Sequence, residues 1–352
     1  MKVSLIMPAL NESGSIASAF ATIRSQSRLP DEVVIADGGS TDDTVAKARA
    51  EDGVGGIRVI VVDNPARFCG GGRNAAVRAS SGDILVGMDF GNRADPDYIK
   101  RMVEVFASDP AAEYVGGPHH PIIETPFERA YAAIVDHWAC IVPTIPPERL
   151  ITMVGAEFMP GGMNLAFRRD LWERSGGFCE WAGSCDDVLF GLRVKAMGGK
   201  IVPTPYAIMH YHMGHTTRET WRRLFNYARW SGLTGVQSGI YLTTLLAYGG
   251  ALALVVLGCF EPWAFLALAA WVAAYLLRAV GSKLWRIARA TGRPFTIWET
   301  LLSVHVRLVQ DIATVLGFAQ GKWQSWRDRA WRERTAAYID AGRDLPPAAA
   351  AS

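Results

Sequence analysis

Residues 230–260 contain no charged side chain, and this stretch constrains the fold of the chain more than any other. A helix rises 1.5 Å per residue, so such a run is long enough to cross a bilayer core of about 30 Å. Residues 240–260 are therefore expected to form a spanning helix. Glu261-Pro262 makes a tight break, and residues 263–277 form a second, shorter arm. That arm ends at Arg278, whose side chain can reach back to the interface. Arg218, Arg222, Arg223 and Arg229 precede the hairpin, and Arg278, Lys283, Arg286, Arg289 and Arg293 follow it. Basic flanks around an acidic turn place both flanks on the cytosolic side. The competing reading is a buried helical hairpin in a soluble protein.

Beyond the hairpin, residues 299–318 have helical periodicity. Glu299, Ser303, Arg307, Gln310, Asp311 and Thr314 share one stripe, and Leu301, Leu302, Val304, Leu308, Val309, Ile312, Val315 and Leu316 fill the other. An amphipathic helix follows, lying in the membrane interface or packed against the catalytic domain. The Ala- and Pro-rich residues 338–352 read as a disordered tail.

The first two hundred residues have a different pattern. Short apolar runs at residues 3–7, 33–36, 57–62 and 84–88 alternate with helical segments at 11–27, after Thr41 or Asp42, and at 74–79. Asn11 or Ser13 is the expected cap of the first helix. This alternation predicts an α/β fold: a mostly parallel sheet with helices on both faces. Further strands are expected near residues 114–116, 164–168 and 200–202, and a helix over 186–197. Ligands on such sheets bind beyond the carboxyl ends of the strands, and Asn11, Asp37 and Asp89 all fall there.

Composition narrows the function. A formal net charge of +2 gives no basis for bulk nucleic-acid binding. The five cysteines have neither zinc-site spacing nor a disulfide framework. No signal-peptide pattern opens the sequence, so the catalytic part is expected in the cytosol.

The motifs Pro8-Ala9-Leu10-Asn11-Glu12, Asp37-Gly38-Gly39-Ser40-Thr41-Asp42-Asp43-Thr44, Arg73-Asn74-Ala75-Ala76, Ser81-Gly82-Asp83 with Asp89, and Asp186-Asp187 followed by Arg193 occur in that order. Together they resemble family 2 glycosyltransferases, inverting enzymes with the GT-A fold, in their membrane-attached bacterial form. The likeness covers roughly residues 1–215. It divides the chain into a catalytic domain (1–215), a basic-aromatic segment (216–238), a membrane-inserted hairpin (239–281), a basic and amphipathic interface region (282–337) and the tail (338–352).

The resemblance implies a nucleotide-diphospho-sugar donor, a UDP-sugar by family frequency. Pro8, Ala9, Asn11 and Glu12 would face base and ribose. Asp37 would accept from the base, although an Asp before Gly-Gly also forms turns in its own right. The Arg73 guanidinium suits a phosphate, as does the open backbone of Gly70-Gly71-Gly72. Asp89 would hold Mg²⁺ or Mn²⁺ against the diphosphate. The family's Asp-x-Asp pattern is broken here, because the chain reads Asp89-Phe90-Gly91-Asn92. Asn92, Asp95 or a downstream histidine could complete the shell; His210, His212 and His215 follow a predicted strand, and His212 is the candidate second metal ligand.

Asp187 corresponds to the general base, and Asp186 reads as a carboxylate favoured by the helix dipole. Pro160-Gly161-Gly162-Met163-Asn164 resembles the loop that shapes the sugar and acceptor site. Asn226-Tyr227-Ala228-Arg229-Trp230 is similar to the Gln-x-x-Arg-Trp motif of processive synthases, which makes Arg229 a candidate diphosphate contact. Basic-aromatic membrane flanking explains the same residues.

The expected reaction is a single inverting displacement onto a lipid-linked or growing glycan acceptor, at the cytosolic face of the inner membrane and in contact with its lipids. Transfer to a polyprenyl phosphate, processive synthesis, and a non-catalytic scaffold are the alternatives.

Overall fold

A computed structural model describes residues 1–135, 158–236 and 238–341. In chain order the first elements are β1 (Val3–Ala9), α1 (Ile16–Arg24), β2 (Glu32–Asp37), α2 (Thr44–Ala50), β3 (Val59–Asp63), α3 (Cys69–Ala79) and β4 (Ile84–Gly87). There follow β5 (Arg93–Ala94), α4 (Tyr98–Ser108), β6 (Ala112–Gly116), β7 (His119–Ile122), α5 (Pro126–Val135), β8 (Leu165–Arg168), α6 (Arg169–Ser175), α7 (Asp186–Ala196), β9 (Lys200–Pro203) and β10 (Met209–His212). The rest is helical: α8 (Thr217–Thr234), α9 (Ser238–Gly258), α10 (Trp263–Leu276), α11 (Ser282–Thr291), α12 (Ile297–Arg327) and α13 (Ala330–Asp340).

Two compact units result. Among the described residues, one comprises 1–120, 158–212 and 334–341; the other comprises 121–135, 213–236 and 238–333. In the first, seven strands run in the order β3-β2-β1-β4-β8-β6-β9. The β1–β2, β2–β3, β1–β4 and β6–β9 pairs are parallel, while β8 is antiparallel to β4 and β6. A second sheet is ordered β5-β10-β7.

The central strands are buried on both faces, as their unbroken apolar runs require. Alternate residues serve opposite cores. Val3, Leu5, Met7, Val33 and Ile35 pack with Phe20 of α1 and Phe106 of α4. Ile6, Val34, Ala36 and Leu85 pack with Val77 of α3, Phe167 and Phe190.

Helix boundaries moved where local signals compete. The α1 cap is Ser15, not Asn11 or Ser13, because the Asn11–Gly14 stretch is committed to the loop after β1. The α2 cap is Asp43, not Thr41 or Asp42. Helix α3 begins five residues before the expected start. Its glycines are poor helix formers, but a Cβ on Gly70 would overlap the Cys179 carbonyl and one on Gly71 would overlap Ala66. Close packing selects those glycines, so they form a buried helical turn and not an open phosphate loop.

In the second unit, α12 packs along α8 and α5. A Thr296–Glu299 capping box opens α12: Thr296 Oγ1 accepts from the Glu299 N–H at 3.1 Å, and the Thr296 N–H donates to Glu299 Oε2 at 2.8 Å. Glycines set its approach to α8. A Cβ on Gly317 would overlap the Phe225 carbonyl, and one on Gly321 the Arg229 carbonyl. This is the small-residue crossing that lets helix backbones touch. The buried Arg129 of α5 donates to Glu299 Oε1 at 2.9 Å and lies 3.9 Å from the centre of the Phe295 ring.

The amphipathic α12 is turned inside out. Its polar stripe faces inward, with Ser303 0% and Asp311 2% exposed, while Leu301 is 56% and Leu316 50% exposed. The second hairpin arm is also longer than expected. After α10, a π-helical turn at Leu277–Gly281 leads straight into α11. Among the described residues, three helical stretches, Tyr241–Gly258, Trp263–Thr291 and Ile297–Arg327, are long and apolar enough to cross a membrane by length and composition. At the chain's end, Tyr338 belongs to α13 and donates to the Gly177 carbonyl at 2.8 Å. The expected disorder therefore does not begin at residue 338, and residues 342–352 lie outside the described residues.

Candidate active site

The loops after β1 and β2 are stitched together at the carboxyl edge of the sheet. Asn11 sits in the left-handed region (φ 56°), which Asn tolerates better than most residues. From there its Oδ1 accepts the Thr41 N–H at 2.8 Å, and its own N–H donates to Ser40 Oγ at 2.8 Å. The Ala9 carbonyl accepts the Gly38 N–H at 2.8 Å, and Pro8 packs beside Gly72 of α3. Asp37 is buried, and its Oδ2 accepts from the Gly39 and Ser40 N–H groups at 3.0 Å each. It therefore shapes its own turn. Glu12 accepts from Ser15 Oγ at 2.8 Å. Burial raises its pKa against that bond, with help from the charges of Asp89 and Asp42.

Asp89 stands just beyond β4, and Asp186 and Asp187 open α7. Arg73 of α3 joins them. Its guanidinium, 3% exposed, pairs with Asp186 and reaches Asp89 Oδ1 at 3.4 Å. It also lies 5.7 Å from the centre of the Phe178 ring. Gly162 completes the arrangement. Its N–H donates to Asp187 Oδ2 at 2.7 Å, and any Cβ there would overlap the Arg73 guanidinium. Asp187 Oδ1 also accepts the Val188 N–H at 2.8 Å. The second carboxylate of α7 is thus fixed from both sides while only half-buried.

Two carboxylates share the Arg73 guanidinium and a third, Asp187, lies close by, so negative charge is under-compensated. Burial raises the pKa of Asp89 against the pull of Arg73, and the charge of Asp187 adds to the rise. Burial raises Asp186 too, against Arg73 and with help from Asp187 and Asp89. A divalent cation would supply the missing charge, and hard carboxylate oxygens suit Mg²⁺ or Mn²⁺. Among the described residues, no group of three or more His, Cys, Asp and Glu side chains is placed to hold a metal ion. His212, the exposed last residue of β10, belongs to no such group. Its neighbour His210 meets Asp95 Oδ1 at 2.7 Å.

Arg229 belongs to the second unit, on α8. Its guanidinium lies 5.5 Å from the centre of the Trp230 ring, and its buried Nε has no hydrogen-bond partner among the described residues. Sequence reasoning missed the pairing of Asp186 with Arg73 and the contact of Gly162 with both Arg73 and Asp187. The Gly161-Gly162 dipeptide was the available signal for the second.

A mostly parallel sheet with one antiparallel insertion, carrying acidic groups beyond its carboxyl edge, is the GT-A architecture of glycosyltransferases. Residues 4–174 match the family model described as glycosyl transferase family 2, and the chain carries a family 2 glycosyltransferase domain. The O-antigen chain rhamnosyltransferase RfbN of Salmonella typhimurium is 25% identical over 228 residues, 64% of this chain and 71% of that protein. The validoxylamine A glucosyltransferase of Streptomyces hygroscopicus subsp. limoneus is 26% identical over 226 residues, and the match spans 56% of this chain and 48% of that protein. The mannosyltransferase PcManGT from Pyrobaculum calidifontis, solved with GDP-Man and Mn²⁺, superposes with a TM-score of 0.55 at 20% identity, covering 92% of this chain and 87% of that one. It shares the fold.

Proposed function

We propose that this chain is a membrane-bound inverting glycosyltransferase. It takes a sugar from a nucleotide-diphospho-sugar and adds it to a hydroxyl of a lipid-linked or growing glycan acceptor, at the cytosolic face of the inner membrane. The observation that carries this reading is the placement of Asp187. It is a half-buried carboxylate at a helix N-terminus, oriented by the Gly162 and Val188 N–H groups, next to an Arg73-bridged pair of carboxylates.

In the reaction, Asp187 takes the proton of the acceptor hydroxyl. The acceptor oxygen bonds to the anomeric carbon from the face opposite the leaving group. The carbon–oxygen bond to the diphosphate breaks, and its electron pair leaves with the nucleotide. One displacement inverts the centre, so no nucleophilic side chain is required. Asp89 would hold the divalent cation, with donor phosphates completing its ligands, and the bound ion would neutralise the departing diphosphate. Arg73 fixes Asp89 and Asp186 in place. The loop of Pro8, Ala9, Asn11 and Glu12, together with Asp37, forms the edge that receives base and ribose. The apolar helices α9, α10 and α12 support attachment to the bilayer.

The test is a panel of UDP-, GDP- and dTDP-sugars with Mn²⁺ or Mg²⁺, reading nucleotide release and product anomer. Release from one donor that Asp89→Asn abolishes, and an inverted product, are expected. A retained anomeric configuration would overturn the mechanism. Full transfer by Asp187→Asn to a neutral hydroxyl would overturn the base, and is what an already ionised phosphate acceptor predicts.

A further inference from the structure

Helix α7 presents Asp187 from a strained start. Its N-cap, Cys185, sits in the left-handed region (φ 65°), and no side chain caps the helix. A non-glycine residue held there costs free energy and persists only where its surroundings over-determine it. Asp186, Phe190 and Arg193 supply that hold, because positions i, i+4 and i+7 share one face of a helix. Asp186 pairs with Arg73. The Phe190 ring stacks on Phe178, with centres 4.1 Å apart. The Arg193 guanidinium lies 4.6 Å from the centre of the Tyr338 ring. Its buried Nε has no hydrogen-bond partner among the described residues, so the ring face compensates its charge.

Tyr338 acts a second time on residues 176–185, the loop that leads into α7. Its hydroxyl donates to the Gly177 carbonyl at 2.8 Å. One turn earlier on α13, the Arg334 guanidinium lies 5.8 Å from the centre of the Trp181 ring. Asn74 of α3 holds the same loop: its Oδ1 accepts the Phe178 N–H at 2.9 Å, and its Nδ2 donates to the Phe178 carbonyl at 2.8 Å. Tyr338 and these partners all belong to the first unit. Tyr338 thus ties the loop entering α7 to Arg193 in the last turn of α7, and the helix is fixed at both ends.

We propose that Tyr338 is a positioning residue for the transfer reaction: it clasps the 176–185 loop to α7 and so holds Asp187 where the acceptor hydroxyl must meet it. The proposal rests on the reading of Asp187 as the base. Asp187 Oδ2 accepts the Gly162 N–H, so the Gly162 amide reports where Asp187 stands.

The test uses the full chain in detergent micelles. Hydrogen exchange is read by mass spectrometry. In Tyr338→Ala, exchange should speed up by roughly tenfold or more at Gly162 and over residues 176–189, with β1 and β2 unchanged. Donor hydrolysis, with water in the acceptor's place, is followed across the same UDP-, GDP- and dTDP-sugars with Mn²⁺. Tyr338→Ala should lower kcat by roughly 10- to 10²-fold at constant donor KM, the effect of a misplacement of about 1 Å. Tyr338→Phe keeps the ring on Arg193 and loses the hydroxyl, so its loss should be roughly two- to tenfold. It decides by the same measures if Tyr338→Ala does not fold. Glu32→Gln, a control at the first residue of β2, should leave kcat unchanged.

Unchanged exchange, equal acceleration through the whole catalytic unit, a kcat loss matched by Glu32→Gln, or a raised donor KM at constant kcat would overturn the proposal. Asp187→Asn separates the two readings. If it hydrolyses donor as fast as the parent while residues 176–189 loosen in Tyr338→Ala, the base assignment falls and the clasp stands. If it is inactive while Tyr338→Ala exchanges and turns over like the parent, the clasp falls and the base stands. Exchange needs no donor, so it decides on the clasp even if nothing in the panel is hydrolysed.

Discussion

Asp187 and Asp186 are adjacent in sequence and face different tasks. Asp187 keeps a solvent-facing side, whereas Asp186 is buried against Arg73. Replacing Asp187 by Asn should lower kcat by roughly 10²–10⁴-fold, the usual contribution of a positioned base, with nucleotide affinity unchanged by calorimetry. Asp186 should act through Arg73. Asp186→Ala leaves a buried guanidinium half-paired and should cost about 3–5 kcal/mol in chemical denaturation. In a double-mutant cycle, Arg73→Lys and Asp186→Asn should couple by about 1–3 kcal/mol. Additive effects, with nucleotide binding weakened by Arg73→Lys alone, would instead mean that Arg73 reaches the phosphate. The sequence carried the order of Asp37, Asp89 and Asp187 because each ends or follows a strand or opens a helix, and Arg73 because it lies in the helix between two of those strands. It could not carry the Arg73–Asp186 bond, which joins residues far apart in the chain and depends on how α3 and α7 meet.

At the scale of elements, β-strand ends and helix crossings set the stability. Glu32 of β2 accepts from Ser4 Oγ at 2.7 Å, from the Ser81 N–H at 2.5 Å and from Ser81 Oγ at 2.9 Å. Burial opposes its ionisation, but these bonds and the charge of Lys2 hold its pKa below the usual glutamate value. The stabilisation is fully present above that usual value and is lost as pH falls through the lowered one. Glu32→Gln should therefore be less stable than the parent at neutral pH, by roughly 1–3 kcal/mol, and the gap should close on acidification in urea titrations. On α12, Gly321→Leu would drive a side chain into the Arg229 carbonyl. It should cost at least about 1–3 kcal/mol, the usual penalty for overpacking, read as a lower melting temperature. Strand positions were legible because unbroken apolar runs admit few alternatives. Helix starts were less so: the glycines opening α3 are disfavoured locally and required by packing, and only the folded neighbours reveal the requirement.

Across the whole molecule, the described residues divide between an α/β catalytic unit and a helical unit that turns its apolar side outward. Each arginine placed at the centre of a membrane helix costs about 2.5–3.5 kcal/mol on insertion scales. Leu252→Arg with Leu266→Arg, at positions 65% and 76% exposed, should move the protein from the membrane pellet towards the soluble fraction in carbonate extraction. Hydrophobic runs made the hairpin legible, but not which face of α12 would be covered. Amphipathic periodicity gives two faces without saying which solvent each will meet. Because α12 hides Ser303 and Asp311 and presents Leu301, Ile312 and Leu316, this unit needs an oily surrounding to keep single molecules apart. In plain buffer those outward side chains would find one another, so monodispersity on a sizing column should follow the supply of detergent or lipid and be insensitive to added salt.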